Sequence, residues 1–324
     1  MKAAVCRTHG PPEVVEIEDL PAPAMTAGGV RVKINAAAVN FPDVLIVANE
    51  YQVKLPPPFV PGSEFAGQVL EVAGDVHHLA AGDRVFGTGF VGAFAEEVVV
   101  PAESVTRTPE AVGDDSAAAF GIAHRTAYHA LRSVARVQPG EELIVLGAGG
   151  GVGLAAVQLG SVLGAKVTAV ASSPEKLDVA KAMGAERVVD HTKHPLRDTL
   201  RESLPGGADV VIDPVGGRLA EPALRSLRWG GRFVTVGYAS GEIPKIPLNL
   251  VLLKGVHVVG FEFRGFVTNH PGDARRNETE LIDLLGSGRA FPHIGATFDL
   301  ENASAALRYV ADGRAIGKVV ITVS

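Results

Sequence analysis

The chain has 324 residues, enough for two domains with substantial hydrophobic cores. With 47% hydrophobic and 20% charged residues, a net charge of −6 and no Lys/Arg run, it has the composition of a globular protein. It lacks the concentrated positive charge that nucleic acids or anionic membranes require. The single cysteine, Cys6, excludes intramolecular disulfides and a multi-cysteine structural zinc site, and it fits a reducing compartment. The opening MKAAVCRTHG has no apolar core of a signal peptide, so a cytoplasmic location is expected.

In chain order, the first hundred or so residues read as short strands broken by turns: VRVKINAAAVN, GQVLEVA and DRVFGTG among LPPPFVPG, AAGD and GFVGAF. That texture predicts a compact, mostly antiparallel, barrel-like unit. Within it, PGSEFAG sets Ser63 and Glu64 in a glycine-lined bend, open to three readings: metal site, substrate pocket or plain turn. Near residue 115 the alanine-rich DDSAAAFGIAHRTAYHALRSVA predicts a helix, with Asp114, Asp115 and Ser116 as caps.

From Glu142 strands and helices alternate as in a parallel sheet: ELIVLG, GVGLAAVQLGSVLG, AKVTAVA, SPEKLDVAKAMG, RVVD, ADVVIDPVG, RLAEPALRSLR, GRFVTVG and GVHVVGFEF. The tail predicts helices around 275–285 and 301–311 and a closing strand GKVVITVS. Leu143 to Ala165 carries no charge, but seven of its 23 residues are glycine, which fits a buried strand–loop–helix better than a membrane span.

The strand–loop–helix ELIVLGAGGGVGLAAVQLG has the order of a dinucleotide site. Glycines let the backbone approach a pyrophosphate, and the helix start offers N–H donors. Gly150, Gly151, Val152 and Gly153 are the expected phosphate cradle; the alternative is a turn whose glycines serve only packing. The next strand runs into VASSPEK, where an NAD site normally carries Asp or Glu for the ribose hydroxyls. Small neutral residues and a lysine there predict NADPH.

Together the glycine loop, NFPDVLIV, PGSEFAG, DPVGG and GRAIGKVVITV resemble the zinc-independent NADPH:quinone oxidoreductases, the zeta-crystallin-like branch of the medium-chain dehydrogenase/reductases. The resemblance covers essentially the whole chain. It implies an α/β protein with a GroES-like β-barrel catalytic domain over residues 1–123, completed by 290–324. A doubly wound parallel-sheet Rossmann domain over 124–289 would bind NADPH. It also implies a homodimer joined through the strand near Val256–Phe261. The resemblance puts Ser172, Lys176, His191, Arg314 and Lys318 on the adenosine-phosphate side. It puts Gly237, Tyr238, Ala239, Phe261 and Phe263 along the nicotinamide half, with Thr126 near the carboxamide. Asn40, Asp43 and Tyr51 fall at the catalytic positions.

Zinc-dependent relatives carry a cysteine at the position of Asn40 and a histidine at that of Ser63, and neither ligand is present here. His77 and His78, read as neighbours in a strand, would point to opposite faces without a third ligand. No metal is expected. Without a Lewis acid the acceptor must be electron-poor by itself, such as a quinone or an α,β-unsaturated carbonyl. The alternatives are an enoyl-thioester or enal reductase on the same scaffold, or a non-catalytic NADPH-binding protein acting structurally or as a redox sensor. In the catalytic reading Asn40 donates to a carbonyl or holds the cofactor, and Tyr51 donates a hydrogen bond or proton. Asp43 orients its neighbours instead of acting as an acid near neutral pH, and Glu64 orients the site or ties down the turn.

Overall fold

The computed structural model describes residues 1–323. They form two compact units, Met1–Ile122 with the chain from Phe291 onward, and Ala123–Ala290.

The first unit begins with the antiparallel pair β1 (Lys2–Cys6) and β2 (Val15–Asp19). Strand β3 (Gly29–Val39) follows, then helix α1 (Phe41–Val47), β4 (Glu64–Val72), β5 (Arg84–Thr88), β6 (Glu97–Pro101) and β7 (Val105–Arg107). Strand β3 organises this unit, pairing antiparallel with both β4 and β6. From Ala36 to Val39 it is buried on both faces, and the small side chains Ala36, Ala37 and Ala38 make that close packing feasible. Phe65, Phe86, Phe94 and Ile34 fill the interior. Most of NFPDVLIV forms helix α1: Pro42 lies in its first turn, and the Asp43 carboxylate accepts from the Asn40 N–H (2.7 Å), as in a capping box. His77 and His78 fall in the exposed connection after β4, not in a strand.

Helix α2 (Asp114–His129) spans the division between the units. The second unit then alternates β8 (Glu142–Leu146), α3 (Gly151–Val162), β9 (Lys166–Ala171), α4 (Pro174–Ala182), β10 (Arg187–Asp190), α5 (Leu196–Ser203) and β11 (Ala208–Asp213). It continues with α6 (Ala220–Arg225), β12 (Leu227–Thr235), α7 (Leu248–Lys254), β13 (His257–Gly260), α8 (Phe263–Asn269) and α9 (Pro271–Gly286). All six strands are parallel, in the order β10-β9-β8-β11-β12-β13. This is a doubly wound sheet whose order reverses beside β8, so the crevice at its carboxyl edge opens where the glycine loop leaves that strand. The middle strands are mostly apolar, with residues 143–146 and 210–212 fully buried, because both faces are covered.

Two boundaries differ from expectation. RLAEPALRSLR is a 3-10 turn (Gly217–Leu219) followed by α6, and Leu227 and Arg228 already belong to β12. GVHVVGFEF stops being a strand at Gly260, because the Glu262 carboxylate accepts from the Arg264 and Gly265 N–H groups and starts α8 at Phe263.

The tail returns to the first unit with β14 (Ile294–Asp299), α10 (Ala303–Ala311) and β15 (Lys318–Thr322). Strand β15 pairs antiparallel with β3, Val319 opposite Val39 through Thr322 opposite Ala36, and parallel with β14. Among the described residues no helix is long and apolar enough to cross a membrane.

Candidate active site

In the second unit, the candidate residues gather at the carboxyl edge of the sheet. The loop from Gly147 to Gly150 leaves β8 and feeds the start of α3. A methyl group on Gly153 would collide with the Gly147 carbonyl oxygen, so this glycine is needed for loop closure. A methyl group on Gly150 would find only the Gly147 oxygen, at 3.6 Å, which leaves the backbone there open to an anionic group. On the adjacent strand end, Ser172 is exposed and Ser173 caps α4, its hydroxyl accepting from the Lys176 N–H. The methylenes of Lys176 lie where a Gly149 side chain would be, so the lysine stem covers the glycine loop. Glu175 is held by the Ser173 hydroxyl, which lowers its pKa.

His191, just past β10, is half-buried, and its Nδ1 has no hydrogen-bond partner. Burial, with the nearby Arg218 and Lys176 cations, pushes its pKa down. Arg218 is a residue that sequence reading passed over. It lies in a glycine-rich loop with no local cationic pattern, and only the fold brings it to His191 and to an open groove shared with Arg197, Arg225 and Lys245.

The strap after β12 is knitted to the loop after β11. Val236 and Gly237 N–H donate to the Asp213 carbonyl, Ala239 N–H to Pro214 and Ser240 N–H to Val215. This brings Gly237, Tyr238 and Ala239 beside DPVGG. Asp213 Oδ1 accepts from Val215 and Gly216, whereas Asp213 Oδ2 and Thr235 Oγ1 remain buried without partners. Such unfilled polar atoms along the carboxyl edge suit a polar cofactor. Phe261 and Phe263 flank the ring of His129, at centroid distances of 6.5 and 5.6 Å, and Phe266 lies at 4.9 Å. Asn277 Nδ2 lies 2.9 Å from His129 Nδ1, and burial pushes the histidine pKa down to about 4, so the ring is neutral. Thr126 sits one turn earlier on the same face of α2.

The first unit holds a different cluster. Gly62, in the left-handed region at φ +97°, turns the chain into β4 and delivers Ser63 and Glu64 beside Asn40. Glu64 is fully buried: Oε1 accepts from Asn40 Nδ2 (2.9 Å) and Lys318 Nζ (2.5 Å), and Oε2 from the Ile122 N–H (2.7 Å). Lys318 Nζ also donates to Asn40 Oδ1 (2.7 Å). The Asn40 amide, expected to face a carbonyl or cofactor, thus engages Glu64 and Lys318 on both of its ends. Lys318, expected among the cofactor contacts, corrects that expectation. It is buried at the start of β15, where strand pairing with β3 aims its ammonium at Glu64 and Asn40.

Asp43, also buried, receives the Asn40 N–H on Oδ2, while Oδ1 has no hydrogen-bond partner. The Ser63 hydroxyl lies close enough to favour its charged form, without a well-formed bond to Oδ1. Burial outweighs the Asn40 N–H, Ser63 and Lys318 and pushes the Asp43 pKa up to about 7. Sequence reading gave Asp43 an orienting role and did not anticipate this raised pKa. Tyr51 is half-buried against Phe90, and Arg314 is exposed with its guanidinium 4.6 Å over the Tyr309 ring. Asn40 and Ser63, at 3.5 Å, offer an amide and a hydroxyl in place of zinc's preferred thiolate and imidazole. Among the described residues no group of three or more His, Cys, Asp or Glu side chains is placed to hold a metal.

Residues 26–110 match the alcohol dehydrogenase GroES-like domain family, and residues 151–285 match the zinc-binding dehydrogenase family. Quinone oxidoreductase-like protein 2 homolog of Nematostella vectensis is 36% identical, over 99% of this chain and 88% of that protein. The chain belongs to the quinone oxidoreductase-like branch of the medium-chain dehydrogenase/reductases. Escherichia coli quinone oxidoreductase, solved in complex with NADPH, superposes with a TM-score of 0.92 at 27% identity, over 99% of this chain and 100% of that one. Polyketide synthase GfsB of Streptomyces halstedii is 38% identical over 91% of this chain, which covers 5% of that synthase. As a member of this superfamily the protein is an oxidoreductase.

Proposed function

We propose that this protein reduces quinones or related α,β-unsaturated carbonyl compounds with NADPH, without zinc. The observation that carries this reading is the buried Asn40–Ser63–Glu64–Lys318 cluster. At the two positions where zinc-dependent relatives hold a metal, this chain has an amide and a hydroxyl, and the local positive charge is an ammonium. An acceptor used here therefore has to carry its own electron deficiency, as quinones and enones do.

NADPH would supply the hydride. Gly150, Gly151, Val152 and Gly153 would receive its pyrophosphate, and Ser172, Lys176, His191 and Arg218 its 2′-phosphate. Gly237, Tyr238, Ala239, Phe261, Phe263 and Thr126 would line the nicotinamide side, and Arg314 would contact the adenosine phosphate. The NADPH complex of the E. coli relative supports this choice. Tyr51 would hold the acceptor, and the Asn40–Glu64–Lys318 cluster would keep the wall beside it rigid.

The test is a set of initial rates under identical NADPH, with 1,4-benzoquinone, 9,10-phenanthrenequinone, small enals and enoyl thioesters. Fastest turnover on the quinones is expected. Tight NADPH binding with no turnover on any acceptor would sink the enzyme reading and favour a structural or redox-sensing role. The similarity to a polyketide synthase supports a second reading, reduction of enoyl thioesters, and fastest turnover on those would select it.

We also propose that two copies pair through β13. This strand is the edge of the six-stranded sheet, with Val258 exposed, and the unit also exposes Trp229, Leu248, Leu252 and Leu253.

A further inference from the structure

We propose that Asp43 and Ser63 form a proton-delivery pair, in which the Asp43 carboxyl stores a proton on Oδ1 and passes it outward through the Ser63 hydroxyl to the acceptor. The inference deepens the reductase reading and rests on it.

Three observations carry the pair. The charged groups that face Asp43 are Glu64 from β4 and Lys318 from β15: one ammonium for two carboxylates. Lys318 gives its short contacts to Glu64 and Asn40, leaving Asp43 without a cation of its own. Asp43 Oδ2 is occupied by the Asn40 N–H, so the unpartnered, buried Oδ1 is the oxygen that can carry a proton. Exposure rises outward along the pair, from 1% at Asp43 to 7% at Ser63, and a hydroxyl both accepts and donates. A carboxyl with a pKa of about 7 is matched to acid catalysis at neutral pH.

NADPH would supply the hydride and leave as NADP+. The acceptor would gain a C–H bond and two electrons, with the displaced π pair on its carbonyl oxygen. That oxygen takes the Ser63 proton, Ser63 takes the Oδ1 proton of Asp43, and the resulting carboxylate is reprotonated from water. After O-protonation a quinone adduct would tautomerise to the hydroquinone and an enol to the saturated ketone.

The first test is carbon-detected NMR of the Asp43 side-chain carboxyl in the cofactor-free wild-type protein. A titration midpoint between about pH 6 and 8 is expected; a midpoint near 4 would overturn the pair. The second test is Ser63→Ala. It should preserve the Asp43 titration and NADPH affinity yet lower quinone turnover about 100-fold, and the wild-type fall in turnover with rising pH should flatten. Unchanged turnover in Ser63→Ala would overturn the relay. Wild-type quinone turnover with an ionised Asp43 would remove the pair and leave the reductase reading standing. A neutral-range midpoint without turnover on any acceptor would remove the reductase reading, and the delivery step with it.

Discussion

Lys318 is one of 30 basic residues in the sequence, and nothing in GKVVITV marks it as buried. Its environment comes from the pairing of β15 with β3, which sets it against Glu64, a residue 254 positions earlier. Removing one partner of a buried ion pair strands the other. Lys318→Met is therefore expected to cost about 3–5 kcal/mol in chemical denaturation, with Glu64→Gln in the same background recovering part of the loss. Asp43 makes a prediction of opposite character. Its folded pKa of about 7 lies above the ordinary 3.8, so between those values the folded state binds the extra proton. Its contribution to stability is full below about pH 4 and is lost as pH rises through about 7. Denaturation midpoints should fall across that window, and Asp43→Asn should flatten the slope. The family resemblance grouped Asn40 and Asp43 with Tyr51, but the contact of Asn40 with Glu64 was not legible. Nor was the acidity of Asp43, because it depends on burial and on where Lys318 points.

At the scale of elements, the glycine loop separates folding from binding. Gly153 faces the Gly147 carbonyl and Gly150 faces open space. Gly153→Ala should lower the thermal midpoint, whereas Gly150→Ala should leave it nearly unchanged and weaken NADPH in a fluorescence titration. Equal thermal effects would mean that both glycines serve packing alone. Most elements of the parallel sheet were readable because a strand buried on both faces is a continuous apolar run bounded by glycine. Helix α1 was harder to read. Its seven residues are short for a periodic signal, and Pro42 and Asp43 mark its start only once Asn40 is recognised as the residue before it. Helix α8 was masked by the apolar and aromatic character of GFEF, which suits a strand equally well until Glu262 caps the next turn.

For the whole molecule, a net charge of −6 would repel a cofactor carrying an additional phosphate, so local cations must offset that field. Lys176, in the first turn of α4, and Arg218, in the 3-10 turn before α6, converge on His191. Lys176→Ala and Arg218→Ala should each weaken NADPH about 10-fold or more and NADH much less, since a charge-assisted hydrogen bond contributes roughly 1.5–3 kcal/mol; equal losses would argue against a 2′-phosphate contact. Association of two copies is tested by light scattering. Leu252→Glu places a charge on an exposed apolar surface and should yield a monomer with intact NADPH binding, whereas an unchanged mass would place any interface elsewhere.

The amino-acid sequence by itself determined the alternation of strands and helices, the glycine loop at a strand–helix junction, the missing acid after the second strand of that unit, and the replacement of zinc ligands at Asn40 and Ser63. These are local properties, set by side-chain period, glycine placement and residue type. Only the tertiary structure decided that Lys318 is buried against Glu64, that Arg218 joins Lys176 at His191, that Asn277 holds His129 among three phenylalanines, and that Asp43 is left as the carboxylate without a cation. Each of these depends on pairing across long chain separations and on exclusion of water. A charge's neighbours and its solvent are properties of the folded chain, and no local pattern encodes them.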